Sequence, residues 1–411
     1  MFETHPFCDC PSCGAASAFG VLNIDRNRLS QRCQQCKFTK KTALAALNKK
    51  VVYLDQSAVS NIYKIRSGKT LSLSHVHDFW VEFDQRITRA QMSQAAIFPP
   101  SDIHMDETIV SGFLSELRTA HRMFGGGVSF VGSETLNTRQ EEAFAKAFIN
   151  SQPAPELEFD VDNALEGNRR NAWLPKLHIS VNSDYSSFAD EIRESRERLH
   201  TAMLPLFERW QAEKPTFEAV LKEEMAAYGK ARIEASALAC KNYVHAMVQQ
   251  DWGGMTSIFF SSHMNHMMTM LRAFEDYSVS KEDCLRKLFE FWRWKELQKM
   301  PFLTIKAHLF AAIAARLASG QKKKPSRGLS NDIKSISTFA PYVDAMFIDI
   351  ECENLLNDGR LRKALTYKAR VFSKATSKEF FSYLESLEDT LDSDVKRWAS
   401  FLYGLRPPSS G

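Results

Sequence analysis

The sequence predicts an α/β protein. It has a parallel sheet with helical crossovers, a large and mostly helical insertion, and a small cysteine-rich module at the N-terminus. Three observations predict it. Short apolar runs alternate with helix signals over residues 50–135, an order that suits strands joined by crossover helices. Residues 136–300 carry long runs of Glu, Lys, Arg, Ala and Leu almost free of glycine, which are helix formers. Five of the eight cysteines fall between Cys8 and Cys36.

The elements follow in chain order. Val51-Val52-Tyr53-Leu54 is an apolar run closed by Asp55, the pattern of a buried strand, and helix signals run from Ser57 to about Arg66. Ala95-Ala96-Ile97-Phe98 is a second strand, stopped by Pro99-Pro100. Ser101 or Asp102 can cap a helix running towards Met123, which Gly125-Gly126-Gly127 ends. Long helices are expected over 188–214 and 217–250. Ala345-Met346-Phe347-Ile348 before Asp349 is another strand, and helices are expected over 377–386 and 394–403. The expected organisation is a module over 1–45 and a domain over 50–411. The domain has its core in 50–135 and 301–375, the helical insertion in 136–300 and C-terminal helices in 376–405.

Composition bounds the function. The chain of 411 residues is 44% hydrophobic and 25% charged, as in ordinary globular proteins, and 53 Lys and Arg face 49 Asp and Glu. That near balance does not by itself indicate a polyanionic partner, so charge placement matters more. No apolar run approaches the roughly 20 residues of a membrane span, and the first residues lack a basic, apolar leader. A cytoplasmic location is expected.

Cys10-Pro11-Ser12-Cys13 and Cys33-Gln34-Gln35-Cys36 are two Cys-x-x-Cys pairs, whose four thiolates can close a tetrahedral Zn²⁺ site. Between them, Phe19 to Ile24 and Leu29 to Arg32 make a hairpin turning at Asp25-Arg26-Asn27. The whole resembles a zinc ribbon, with structural zinc because four thiolates leave no open coordination position. Cys8 is left over, as a substitute ligand or a free thiol. Arg26, Arg28, Arg32, Lys37, Lys40 and Lys41 make the module basic, fit for phosphate or for a protein partner.

A set of acidic residues is the other candidate site. Asp55 and Asp349 each close an apolar strand, which puts a carboxylate at the carboxyl edge of a parallel sheet, where such folds place their clefts. Glu107 lies on the helix after the second strand, Asp332 precedes a short helical run, and Asp344 stands before the last strand. Converging carboxylates repel and persist by binding a cation, and hard oxygen ligands suit Mg²⁺ or Mn²⁺. Asp332 capping a helix and Asp344 in a turn is the structural alternative.

Taken together, Val51 to Ser57, Phe98 to Glu107, Asp332 and Pro341 to Asp349 resemble a PIN-like nuclease domain. In that family an Asp after the first strand, a helix-borne Glu and later Asp residues bind divalent metal that activates water to hydrolyse a phosphodiester. The resemblance implies Asp55, Glu107, Asp332 and Asp349 as the catalytic quartet, with Asp344 a fifth member. Asp55 and Asp349 would be direct Mg²⁺ or Mn²⁺ ligands, and Glu107 a ligand or the orienter of water. It implies an endonuclease acting on RNA ahead of DNA, with toxin-like or antiphage use by analogy. A PIN-like adaptor that binds nucleic acid without cleaving it is the alternative. Gln56-Ser57 departs from the family's common Asn or Thr-Asn, and the long gap from Glu107 to Asp332 requires the helical insertion.

Lys322, Lys323, Lys324 and Arg327 lie upstream of Asp332 and could hold a nucleic-acid backbone or form a solvated loop; His104, three residues before Glu107, could touch substrate or be a hydrogen-bonded core or rim histidine. Other signals point away from chemistry. Ser67-Gly68-Lys69-Thr70 lacks the upstream glycine and strand of a phosphate loop. His263 and His266 sit in a Met-rich run that suits packing. Arg193 and His200 lie among Glu194, Arg196, Glu197 and Arg198, the pattern of a solvated, ion-paired face.

Overall fold

The computed structural model describes residues 7–71, 73–111, 113–167, 170–174, 189–277, 279–321 and 326–405. It is mixed α/β and mostly helical. The N-terminal module is an antiparallel sheet of β1 (Phe7–Cys8), β2 (Phe19–Asp25), β3 (Arg28–Cys33) and β4 (Thr39–Ala43), in that order. The expected hairpin is β2–β3, turning at Arg26, whose φ is +51°.

The second sheet is parallel throughout and its strands come from distant parts of the chain. β5 (Lys50–Leu54) is followed by α1 (Gln56–Arg66) and by α2 (Ser74–Met92), a helix that the strand–helix–strand order read from the sequence leaves out. β6 (Ala96–Ile97), α3 (Asp102–Ile109) and α4 (Leu114–Gly125) come next. The single helix expected from Ser101 to Met123 is therefore two. Ser111 breaks it: its hydroxyl donates to the Thr108 carbonyl at 2.7 Å and accepts from the Phe113 amide at 3.2 Å, diverting bonds a continuous helix would use.

Helices α5 (Ser133–Ile149), α6 (Ala189–Glu213), α7 (Phe217–Val248), α8 (Trp252–Phe259), α9 (Ser262–Asp276) and α10 (Lys281–Trp292) occupy the expected insertion. They are followed by α11 (Pro301–Ala318), α12 (Leu329–Phe339), β7 (Ala345–Phe347), α13 (Ile350–Leu356), α14 (Gly359–Ala364), β8 (Arg370–Phe372), α15 (Ser377–Asp389) and α16 (Ser393–Tyr403). β8 is a strand the sequence pattern does not reveal. The order across the sheet is β6-β5-β7-β8.

Alternation along β5 sets the layers. Val51 and Tyr53 point into one core with α6, α11 and α12, whereas Val52 and Leu54 point into another with α1, α2 and α15. The helical part has its own core, including Met264, Met267, Met270, Phe274 and Phe291, so the Met-rich run does pack. α11 is long and apolar enough to span a membrane by length and composition, yet most of its side chains are buried within the protein, as in a central core helix.

One buried charge cluster fixes the helical part. The Glu141 side chain is 0% exposed; it lies 2.9 Å from His266 Nε2 and 3.8 Å from the Arg232 guanidinium, and accepts from the Trp292 indole at 3.2 Å. Burial alone would raise its carboxyl, but these partners hold it below the ordinary value. Four helices, α5, α7, α9 and α10, meet on this one group. Replacing Glu141 by Ala takes the buried carboxylate from His266 and Arg232, and we expect it to cost about 3–5 kcal/mol in chemical denaturation. A loss below about 1 kcal/mol would show the cluster to be a bystander.

Candidate functional site

The chain switches direction across the sheet at β5. Its sequence neighbour β6 pairs on one side and the distant β7 on the other, and such switch points leave a crevice at the carboxyl ends of the strands. Leu54 pairs with Phe347, and the Asp55 amide donates to the Phe347 carbonyl at 2.9 Å, so Asp55 and Asp349 emerge side by side. Each also caps the helix that follows. Asp55 Oδ2 accepts from the Ser57 amide at 3.1 Å and hydroxyl at 2.5 Å, and Asp349 Oδ1 accepts from the Cys352 amide at 2.7 Å.

Two helices bring the other members. The Ser101 hydroxyl starts α3, and Glu107 in its last turn reaches the same edge, where Asn331 donates to Glu107 Oε1 at 2.8 Å and Arg196 lies 3.4 Å from it. Asp332 sits in the first turn of α12, with no capping bond of its own, so the structural alternative for it fails; within this group the helix caps are Asp55 and Asp349. Ligand atoms of Asp332, Asp349 and Cys352 lie within 4.8 Å of one another.

The electrostatics mark these carboxylates as one group. Burial and then the charges of Asp55, Asp349 and Glu107 push the Asp332 carboxyl up to about 9. Burial raises Asp55 and Glu107 too, with the Asp349 charge adding to the first and the Asp55 charge to the second. Such a set is repulsive when ionised, and a bound cation relieves it. Hard oxygen donors fit a hard divalent ion.

Two expected members, Asp344 and His104, do not join this group. Asp344 is at the amino end of β7, the opposite end of the sheet from Asp349. There its carboxylate accepts from the Val51 amide at 2.9 Å and pairs with Lys368 at 3.2 Å and Lys50 at 3.5 Å. Position before the strand, rather than after it, decides this. His104 is 2% exposed, stacks on Tyr53 at 4.9 Å between ring centroids, and its Nδ1 accepts from the Ser101 amide at 3.0 Å. It is a buried capping residue and not a surface contact. Lys322, Lys323 and Lys324 lie outside the described residues, whereas Arg327 is described and pairs with Glu197 at 3.4 Å.

Sequence reasoning missed three neighbours of the site. Arg196 sits in a sequence pattern typical of a solvated face, yet its guanidinium turns to Glu107. Asn331 adjoins Asp332 and holds Glu107. Cys352, outside the N-terminal cysteine cluster, stands three residues after Asp349, the spacing that puts both on one side of a helix start. Beside the carboxylates, Val110, Arg193, Glu194, Arg196, Glu197 and Arg327 line an open cleft of about 430 Å³.

Burial holds His104 at about 4, and His121, 5.0 Å away between ring centroids, well below its ordinary value. The unfolded ring takes a proton near 6.5, so the stability it contributes is present above that pH and is lost as pH falls towards 4. For His104 the loss is about 3 kcal/mol. Gln at N3 preserves the capping box. Urea midpoints of wild type and His104→Gln should therefore converge at acid pH and separate above 6.5; parallel curves would refute the assignment.

In the N-terminal sheet, the Cys10–Cys36 and Cys13–Cys33 sulfurs are 3.6 and 3.8 Å apart, and all four lie within 4.8 Å. Tetrahedral zinc with Zn–S of about 2.3 Å gives an S···S edge of about 3.8 Å, so the cluster is compatible with a zinc ribbon. Gly14 and Lys37 each follow the second cysteine of a pair with φ of +70° and +65°, the same left-handed step in both turns. Cys8 lies outside the group, its Sγ 3.5 Å from the Phe19 carbonyl. Set beside family models, curated proteins and solved structures, the chain matches none, so the chemistry of both clusters is argued from their own atoms.

Proposed function

We propose that the chain is a divalent-metal-dependent nuclease with a PIN-like core and a zinc ribbon, acting on RNA ahead of DNA. The observation that carries this reading is the convergence of Asp55, Glu107, Asp332 and Asp349 at the switch point of the parallel sheet. Asp349, Asp332 and Asp55 would hold Mg²⁺ or Mn²⁺. The bound cation supplies Lewis acidity at neutral pH, which favours attack of water on a phosphodiester phosphorus.

The protein's own groups do the rest. Glu107, fixed by Asn331 and Arg196, orients water on one side of the phosphorus. The new O–P bond forms as the ester O–P bond breaks, and one proton passes to the leaving oxygen. Arg193 and Arg327 in the adjoining cleft, which also carries Glu194 and Glu197, would meet flanking phosphates, Arg327 leaving Glu197 to do so, and would position the strand without reading its bases. Preference for RNA comes from the family resemblance.

Purified protein incubated with labelled single-stranded RNA and DNA tests this. RNA cleavage in Mn²⁺ or Mg²⁺ and none in chelator is expected. Replacing Arg193 by Ala should raise KM for RNA and make the loss of activity with rising salt shallower than in wild type, because one phosphate contact is gone. Binding of RNA with no cleavage in any metal would overturn the enzymatic reading in favour of an adaptor.

A further inference from the structure

The turn between α7 and α8 is unlike the rest of the surface. α8 has the sequence Trp-Gly-Gly-Met-Thr-Ser-Ile-Phe and buries no residue completely. Trp252 is 73%, Val248 69% and Phe260 68% exposed, and Leu238, Val244, Met247 and Phe259 are each more than two-fifths exposed. Met255 and Ile258 are only half-buried where α8 lies back along α7. The last turns of α7 and the outer side of α8 therefore form one apolar face.

We infer that this face, centred on Val248, Trp252 and Phe260, is where a second copy of the chain docks. Two quantities favour a second copy. Leaving aside Leu238, which stands on the opposite side of α7 from Met247, the other six side chains expose roughly 700 Å² together, about one partner's share of a standard-size stable interface and more than a typical monomer leaves in one patch. Between Leu238 and Phe260 the only Lys, Arg, Asp or Glu residues are Lys241 and Asp251, one of each sign. A face that is close to neutral and carries both signs can meet its own copy across a twofold axis without like-charge repulsion, and offers little to steer a charged partner. The aromatic anchors Trp252, Phe259 and Phe260 are the residue types that dominate such contacts.

Sedimentation velocity of the full chain from about 0.1 to 100 µM tests this, alone and with neutral or anionic vesicles. A concentration-dependent species of twice 46.8 kDa is expected. Trp252→Glu and Phe260→Lys should each weaken self-association by more than about tenfold. Glu at the first position of α8 and Lys just past its end both suit the helix dipole, so each variant should keep the wild-type melting temperature. A chain that stays monomeric at 100 µM would overturn the proposal. So would a dimer unaffected by both folded variants, or vesicle binding by a chain that does not self-associate.

Discussion

Asp55→Asn and Asp349→Asn are each expected to lower metal-dependent cleavage by on the order of 10²–10³-fold or more while leaving the fold intact. Both halves of that result follow from position. Each side chain caps a helix through an oxygen that Asn also supplies, so α1 and α13 keep their first turns. What Asn removes is a negative charge from a group already so crowded that the Asp332 carboxyl sits at about 9. The metal-free variants should therefore melt no lower than wild type, and higher at alkaline pH. The sign can be checked independently. A carboxyl whose folded value is raised gives stability that is present below about 4 and lost as pH rises through the folded value, so metal-free wild type weakens from about pH 4 towards 9. A cation that binds only the folded protein reverses this, adding about 2.7 kcal/mol at a hundred times its Kd. Melting scans with and without Mn²⁺ at pH 6 and 8.5 read all of this. A Mn²⁺-induced shift that persists undiminished in both variants, or cleavage unchanged by them, would place the metal elsewhere.

How much of this was legible in the sequence depends on what kind of signal each residue carries. Strand ends are local: an apolar run closing on an acid names Asp55 and Asp349, and parallel pairing then brings them together although nearly three hundred residues separate them. Asp344 shows the limit. An acid before a strand looks as acidic as one after it, but the strand's direction sends it to the far end, where Lys50 and Lys368 neutralise it. For His104 two readings stay open in the sequence, because spacing from Glu107 says which side of α3 it shares and not how deep that side lies; Tyr53 and Ser101 enclose it, which selects the core histidine. Arg196 and Glu107 meet only through the packing of α6 against α3, a contact no local pattern encodes. β8 and α2 escaped for a different reason: Arg370-Val371-Phe372 is too short for periodicity, and α2 mixes His, Asp and aromatic residues that are weak helix formers individually.

Removal of metal from the cysteine cluster is expected to unfold part of the N-terminal module and nothing else. The buried side chains around the thiols are few, Ala18 and Phe19 beside Cys10 and Cys33, which is too little apolar area to hold two knuckles in place. A closed four-thiolate site contributes about 10–16 kcal/mol of apparent binding energy in small zinc modules, so a zinc ion here would take the place of a core at this end of the sheet. The other end is anchored differently. Ile24 and Leu29 pack with Leu44, Leu47 and the α16 residues Val395 and Leu402, and the Trp173 indole donates to the Ala45 carbonyl at 2.8 Å. Native mass spectrometry should find one Zn²⁺ per chain. A strong chelator should then expose four thiols to alkylation and strip hydrogen-exchange protection from residues 7–20 and 33–43, while 24–30 and the parallel sheet stay protected. Cys10→Ser should do the same without chelator. Because all four positions around the metal are thiolates, it has no site for substrate, and Mn²⁺-supported cleavage should survive in the Cys10→Ser protein. Protection that is identical with and without Zn²⁺ would show that the four cysteines hold no metal.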